Sequence, residues 1–373
     1  MSEPSGRLRI LHTESSHGWG GQEIRILTEA RGMQDRGHEV MIATTGNAEL
    51  LPAAAKLGLR TAVLPMRRKG VRELLGVRAW LASNHGSFDV INTHSSTDSW
   101  LVALSRATIP GCPPILRTRH VSTVVNTSFT TRWLYRNATA HIVVTGEALR
   151  RQLHEQNGFP LDHMTSIRTG IDLDRFRPLD RGEMRQMLGV PNRTVIGILA
   201  TLRDWKGHDY LLDALVVLRQ RFPDLHLLIV GDGPRRAHLE RRVDEMGLRD
   251  AVRFAGNQDN VEQWLATFDI FALPSYGEEG VPQAIMQAMA CGLPVASTRV
   301  GAIPEAVVAD QTGLLIPARD SAALVAAIAD LLQDPAKRRR FSSAAVEYAR
   351  SNFGIDEMLD RMETVFRRVI ASR

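Results

Sequence analysis

Apolar and polar positions alternate along this chain between short apolar runs and longer stretches with helical spacing. Continuous apolar runs bounded by Gly, Pro, Asn or Asp read as buried strands, and apolar residues three and four apart read as amphipathic helices. The first run, Arg7–His12 (RLRILH), predicts a strand. A glycine-rich loop, Ser15–Glu23, follows it, then a helix over about 22–36 and a second strand, VMIATT, from Val40. Further strands are predicted at Phe88–Thr93, Pro114–Arg117, Ala140–Thr145 and Thr165–Thr169, with a helix at Val71–Leu81. The turn Gly170–Pro178 and the charged segment Leu179–Arg193 then break the pattern.

The alternation restarts with strands at Thr194–Leu199, Leu225–Val230, Val252–Ala255 and Phe268–Leu273, separated by helices at Tyr210–Phe222 and Val261–Thr267. The stretch Pro274–Pro294 (PSYGEEGVPQAIMQAMACGLP) crosses an acidic turn into a helix ending at Cys291-Gly292. Pro282 is expected at the first helical position, where no hydrogen-bonded N–H is lost. Strands at Val295–Ser297 and Gly313–Pro317 follow, and the chain is helical by period from Ser321. Strands alternating with helices predict the α/β class, as two Rossmann-like α/β/α halves in series, about residues 1–170 and 195–345.

Composition narrows the setting. The chain has 373 residues, 44% hydrophobic and 23% charged, enough for two domains with cores of their own. Cys112 and Cys291 are too far apart in sequence to form a metal or disulfide pattern, which fits a reduced, cytoplasmic setting. No apolar run is long enough to span a bilayer, and the first ten residues lack a signal-peptide core. A net charge of +5 favours anionic partners, but no nucleic-acid motif is present and none is expected as a partner. Arg67, Arg68, Lys69 and Arg72 stand before and within the helix containing Leu74, Leu75, Val77 and Leu81. That pattern suits either a solvated surface helix or one lying on an anionic membrane.

Candidate chemistry collects at the predicted strand ends, where open parallel sheets bind ligands. Gly20 and Gly21 would let a backbone approach closely before a helix, although the same glycines also suit a plain tight turn, and the dinucleotide fingerprint is absent. His94 and His120 end two strands, with Arg119 beside the second. Arg203 and Lys206 follow the first strand of the second half and can stabilise growing negative charge unless they are merely solvated. Gly231 and Gly233 form another close-approach loop. Glu279 precedes a helix N-terminus suited to phosphate, and Gln283 and Gln287 lie one turn apart on that helix.

Together these residues resemble the retaining glycosyltransferases of family 4, with the GT-B fold. The motifs recur in that family's order: Gly20-Gly21-x-Glu23, His94, Gly170-Ile171-Asp172 with Phe176 and Pro178, Arg203 with Lys206-Gly207, Gly231–Pro234, Pro274-Ser275, and Glu279 with Gln287. Two departures stand out: Gln287 replaces the second glutamate of the Glu-x7-Glu motif, and Val281-Pro282 replaces Phe-Gly.

The resemblance implies two Rossmann-like α/β/α domains facing a central cleft. Residues 1–172 would bind the acceptor, residues 173–354 the nucleotide sugar, and the helix at 355–373 would cross back to the first domain. It implies transfer of a sugar from a UDP- or GDP-sugar to a glycan or lipid-linked acceptor, in the making of lipopolysaccharide or another bacterial surface polysaccharide. Arg203, Lys206, Glu279 and His94 would be the catalytic residues. Gly20, Gly21, Gly231, Gly233, Gly280, Val281, Pro282, Gln283 and Gln287 would hold the donor, while Arg119 and His120 stand as acceptor-side candidates. Neither metal nor cofactor is required by the family mechanism. The expected location is cytoplasmic, with peripheral contact at the inner membrane face through the basic patch. Glu278 and its loop are expected to tune donor choice. A nucleotide-sugar epimerase and a catalytically degenerate glycan-binding or scaffold protein remain as alternatives.

Overall fold

The alternation of buried strands and amphipathic helices produces two compact units, Met1–Gly170 with Ile355–Arg373, and Ile171–Gly354. The computed structural model describes residues 6–120, 124–277 and 279–372, so Glu278 and its expected role lie outside the described residues.

In the first unit the strands are β1 (Arg9–Glu14), β2 (Glu39–Thr44), β3 (Arg60–Val63), β4 (Val90–Thr93), β5 (Ile115–Arg119), β6 (His141–Val144) and β7 (Met164–Ser166). The helices between them are α1 (Gly21–Asp35), α2 (Leu50–Lys56), α3 (Val71–Asn84), α4 (Ser96–Arg106), α5 (Phe129–Trp133) and α6 (Glu147–Asn157). The sheet order is β3-β2-β1-β4-β5-β6-β7, parallel throughout. β1 extends two residues beyond the expected His12, which places Glu14 at its buried end.

The second unit opens with α7 (Arg181–Leu188), within the segment read from sequence as a charged boundary. It continues through β8 (Val195–Leu199), α8 (His208–Arg219), β9 (His226–Val230), α9 (Arg236–Glu245), β10 (Val252–Gly256) and α10 (Val261–Ala266). β11 (Ile270–Leu273), α11 (Gln283–Ala290), β12 (Val295–Thr298), α12 (Ile303–Ala306), β13 (Gly313–Ile316), α13 (Ser321–Gln333) and α14 (Pro335–Asn352) complete it. Its sheet is also parallel, in the order β10-β9-β8-β11-β12-β13.

The last helix, α15 (Ile355–Ala371), packs on the first unit, buried along the stripe Met358, Leu359, Met362, Val365, Phe366 and Val369. Each such side chain is worth about 1.5–3 kcal/mol on full burial. Gly32 of α1 allows the close approach, since a Cβ there would fall 2.4 Å from Leu359 Cδ1. Arg36 pairs with Asp356 and Asp360 at the rim of this contact.

Each strand order reverses direction once, between β1 and β4 in the first unit and between β8 and β11 in the second. Connections leave to opposite faces there and open a crevice at the carboxyl edge.

Candidate active site

In the second unit, the chain leaves β8 into a loop with a short 3₁₀ turn, Asp204–Lys206, and closes at Gly207. Gly207 has φ +78°, and a Cβ on it would fall 2.0 Å from the Pro274 carbonyl oxygen. Only glycine lets the loops after β8 and β11 touch at this point. Their contact brings Lys206 to Glu279, across 73 residues of sequence: Nζ donates to Oε1 at 2.7 Å, and both side chains are largely buried. Ser275 Oγ donates to the same oxygen at 2.8 Å. The Glu279 carbonyl accepts from Ala302 N at 3.0 Å, which ties this loop to the turn before α12.

Arg203 sits elsewhere on the same loop, exposed, with its guanidinium 5.2 Å from the Trp205 ring centroid. Thus Lys206 is engaged by a carboxylate, while among the described residues the Arg203 side chain makes no ion pair. Gly231, at φ +126°, closes β9 against the end of β8, with an added Cβ only 2.1 Å from the Ala200 carbonyl oxygen. At Gly233 a Cβ would meet Leu202 N and O at 2.8 Å.

Pro282 departs from the expected position. It is the N-cap of α11, with ψ 123°, and the helix begins at Gln283. Extended ψ at this position turns the chain from the acidic loop into the helix, and the fixed proline φ of −68° suits both. Val281 is buried and Gly280, Gln283 and Gln287 are half-buried at this end of the helix. Gly292 takes the left-handed conformation at φ +79° just past the helix, as its sequence position suggests.

In the first unit, Gly20 is the N-cap of α1 and Gly21 its first residue. Gly20 is extended, and a Cβ on it would lie 3.7 Å from Glu23 Oε2, so packing alone does not demand glycine there. Glu14, at the end of β1, accepts from Ser16 N at 2.6 Å and from the side chains of Gln22 and Ser95. Asp98, in the first turn of α4, accepts from Thr13 Oγ1 at 2.8 Å and from His94 N at 3.0 Å. Burial pushes both carboxyls up, and the charge of Asp98 raises Glu14 further.

His94 and His120 meet, with His94 Nδ1 2.9 Å from His120 Nε2. His94 Nε2 in turn lies 2.9 Å from His12 Nδ1. Arg119 donates to Tyr135 Oη at 3.0 Å. Arg117 lies over the Tyr135 ring at 4.6 Å and is buried, its Nε and Nη1 without a hydrogen-bond partner among the described residues. Lys69 donates to Ser96 Oγ at 3.0 Å at the start of α4, and Arg68 pairs with Glu73.

Sequence reasoning placed His94, His120, Arg203, Lys206 and Glu279 at strand ends. It missed Glu14, Asp98, Arg117 and His12. A polar residue at each end of an apolar run was the available signal, and ending β1 at His12 hid Glu14.

A family model described as "Glycosyltransferase Family 4" matches residues 19–175, and one described as "Glycosyl transferases group 1" matches residues 193–334. The chain is a family 4 glycosyltransferase. The transferase is 28% identical over 403 residues to D-inositol 3-phosphate glycosyltransferase 2 of Catenulispora acidiphila, covering 96% of this chain and 92% of that one. It is 34% identical over 194 residues to the GDP-mannose-dependent alpha-(1-6)-phosphatidylinositol monomannoside mannosyltransferase of Mycolicibacterium smegmatis. That match covers 49% of this chain and about half of the relative, 51%. Its fold is that of Anabaena HepE in complex with UDP and glucose, with a TM-score of 0.85 at 21% identity, over 96% of this chain and 99% of that one. The fold is therefore GT-B. Among the described residues no helix is long and apolar enough to cross a membrane.

Proposed function

We propose that the transferase moves a sugar from a UDP- or GDP-sugar to a glycan or lipid-linked acceptor with retention of configuration. The observation that carries this reading is the Lys206–Glu279–Ser275 cluster at the β8/β11 switch point, beside the N-terminus of α11. A cation, the positive end of a helix dipole and a carboxylate within one loop contact suit a ligand that is both phosphorylated and hydroxylated. In this reading Lys206 and Arg203 take the departing diphosphate, and Glu279 takes sugar hydroxyls once Lys206 turns to phosphate. Gly231, Gly233, Gly280, Val281, Pro282, Gln283 and Gln287 of the second unit hold the nucleotide and diphosphate, and Gly20 and Gly21 are donor-binding candidates of the first. The acceptor hydroxyl attacks the face that the leaving group vacates, and its proton passes to the departing phosphate oxygen. No metal enters these steps.

His94, expected among the catalytic residues, has both ring nitrogens engaged by His12 and His120 and acts by holding those rings. On the acceptor side, Arg119 and His120 are joined by Arg117, whose two unpaired buried nitrogens favour an anionic acceptor. The names of two relatives specify acceptors built on inositol phosphate, which is that chemistry. A lipid-linked acceptor for a surface polysaccharide such as lipopolysaccharide would bring the transferase to the inner membrane face. Val71 and Leu75 are 75% and 60% exposed on α3 beside Arg67, Arg68 and Arg72, which suits that placement.

The test is a panel of nucleotide sugars read by thermal shift, followed by nucleotide release with and without EDTA. One donor should stabilise the transferase and release its nucleotide diphosphate faster when an acceptor is added, with chelator having no effect. Absence of any stabilising UDP- or GDP-sugar would refute the donor assignment, and loss of turnover in EDTA would refute the metal-free mechanism.

A further inference from the structure

Three histidines from adjacent strands form a file at the carboxyl edge of the first sheet. His12 lies on β1, His94 follows β4 and His120 follows β5. The two ring-to-ring contacts are 2.9 Å between nitrogens, with centroids 5.2 Å apart in each pair. His12 is fully buried, His94 is 4% exposed and His120 half-buried, so the file runs from the core to the surface.

Burial keeps all three rings neutral: it lowers His94 and His120 well below the ordinary range and, helped by the charge of Arg25, takes His12 to about 3. A neutral imidazole has one N–H and one lone pair. The file can therefore run in only two ways, with every N–H pointing inward or every N–H pointing outward.

The inner end decides between them. His12 Nε2 faces Glu29 Oε1 at 4.0 Å, and both side chains are fully buried. Asn92 fixes that carboxylate: its Oδ1 accepts from Thr118 at 2.9 Å, which leaves its Nδ2 to donate to Glu29 Oε1 at 3.2 Å. Arg25, fully buried on α1, lies 3.7 Å from the other carboxylate oxygen and opposes the rise that burial imposes on Glu29. The remaining charged neighbours are Asp98 on α4, held by Thr13 and the His94 main chain, and Arg117 on β5. From α15 the edge of Phe366 packs against His12. An outward-running file would aim the His12 lone pair at the Glu29 carboxylate. An inward-running one aims an N–H at it.

We infer that Glu29 polarises the file inward and so leaves His120 Nδ1 as a bare hydrogen-bond acceptor for a hydroxyl of the sugar acceptor. His120 is the substrate contact, while His94, His12 and Glu29 are positioning residues that set its tautomer. The role given to His120 rests on the acceptor-side reading above; the polarity of the file does not.

Long-range ¹H–¹⁵N spectra of the imidazoles in ¹⁵N-histidine-labelled protein at about pH 8.5, above the value of about 7 to which burial raises Glu29, test the polarity without any turnover. All three rings are expected as neutral Nε2–H tautomers, and an Nδ1–H tautomer or a protonated ring at any of them overturns the inference. The substrate contact is tested by acceptor KM in two variants. His120→Gln keeps a donor near the Nε2 position and loses Nδ1, so acceptor KM should rise about tenfold or more, the effect of one lost hydrogen bond. His120→Asn keeps an acceptor near the Nδ1 position and should hold KM within about threefold. Equal effects of the two variants, or an unchanged KM in His120→Gln, overturn the contact. If neither the wild type nor the variants transfer to any acceptor, the function proposed above fails, while the spectra still decide the file.

Discussion

The two units share one plan, a parallel sheet whose order reverses at the middle, yet they furnish that crevice by different means. In the first unit the edge is lined by buried and half-buried titratable side chains: Glu14, Asp98 and the file of His12, His94 and His120. In the second it is shaped by main chain, at Gly207 against Pro274 and Gly231 against Ala200, with the Lys206–Glu279 pair set between the loops. Side-chain networks of the first kind discriminate hydroxyls, because each donor and acceptor is fixed by its neighbour. Backbone surfaces of the second kind present N–H groups to phosphate, which glycine alone lets come close. In the proposed reading one scaffold thus supplies two kinds of recognition.

The comparison is broken most directly at the ion pair. Glu279→Ala leaves Lys206 largely buried beside an empty place, and removing one partner of a buried pair costs about 3–5 kcal/mol. Urea unfolding of the second unit should show that loss, together with falling turnover; unchanged stability would make the pair incidental. Next comes Arg203→Ala. The side chain is exposed, so folding should be unaffected, while turnover should fall at least about a hundredfold, near 3 kcal/mol. Near-normal nucleotide release in that variant would remove Arg203 from the reaction. Gly207→Ala tests whether the second crevice depends on main-chain contact. A side chain at positive φ costs about 1–2 kcal/mol before the clash with Pro274 is counted, so thermal unfolding should fall by several degrees. A neutral result would show that the loops can part.

Protons sharpen the contrast more gently. His12, His94, His120 and His141 in the first unit all have folded values below the ordinary 6.5, against His208 in the second. The unfolded chain therefore binds more protons as pH falls through 6.5, and the stability these rings contribute above that pH is lost on the way to about 3, the value for His12. Glu29 works in the opposite sense. Its value is raised from 4.5 to about 7, so the stability it contributes at acid pH is lost as pH rises across that interval. Glu14, raised to about 8, and Asp98, raised to about 6, act with Glu29, so the effects offset each other between about pH 4.5 and 6.5, and below about pH 4.5 Asp98 alone of these three still opposes the histidines. Hydrogen exchange should show the first unit weakening faster than the second between about pH 4.5 and 3.5. Equal weakening would contradict the placement of those rings.

The smallest effect per substitution concerns α3. Arg67, Arg68 and Arg72 changed to Gln should weaken binding to vesicles rich in anionic lipid by about 1 kcal/mol per charge, read by co-sedimentation. Unchanged binding would mean that this face is not an anchor.

Much of this contrast was legible beforehand. Glycines placed after an apolar run marked Gly231 and Gly233 as turn positions, strand-end placement with the Lys206-Gly207 pair put Arg203 and Lys206 on the functional edge, and Glu279 was marked by the helix N-terminus that follows it. The first unit was harder to read. A histidine inside RLRILH looks like any strand residue, and nothing local reveals that it will face His94 from 82 residues away. Arg117 was hidden in the same way, since a basic residue in a strand gives no sign of being left buried without a full set of partners. Pro282 was off by one position because proline suits both the N-cap and the first helical turn.

The sequence alone determined the alternation of strand and helix, the restart that makes two units, and the motif order that marks the family, because these follow from local periodicity and turn chemistry. The tertiary structure decided which polar groups meet: Lys206 with Glu279, Glu14 with Ser95, and the three histidines with one another. Those meetings depend on strand order and register, which bring distant residues to one sheet edge. Burial at that edge then fixes protonation, and a neutral, buried histidine file is a property of the packed sheet rather than of any segment within it.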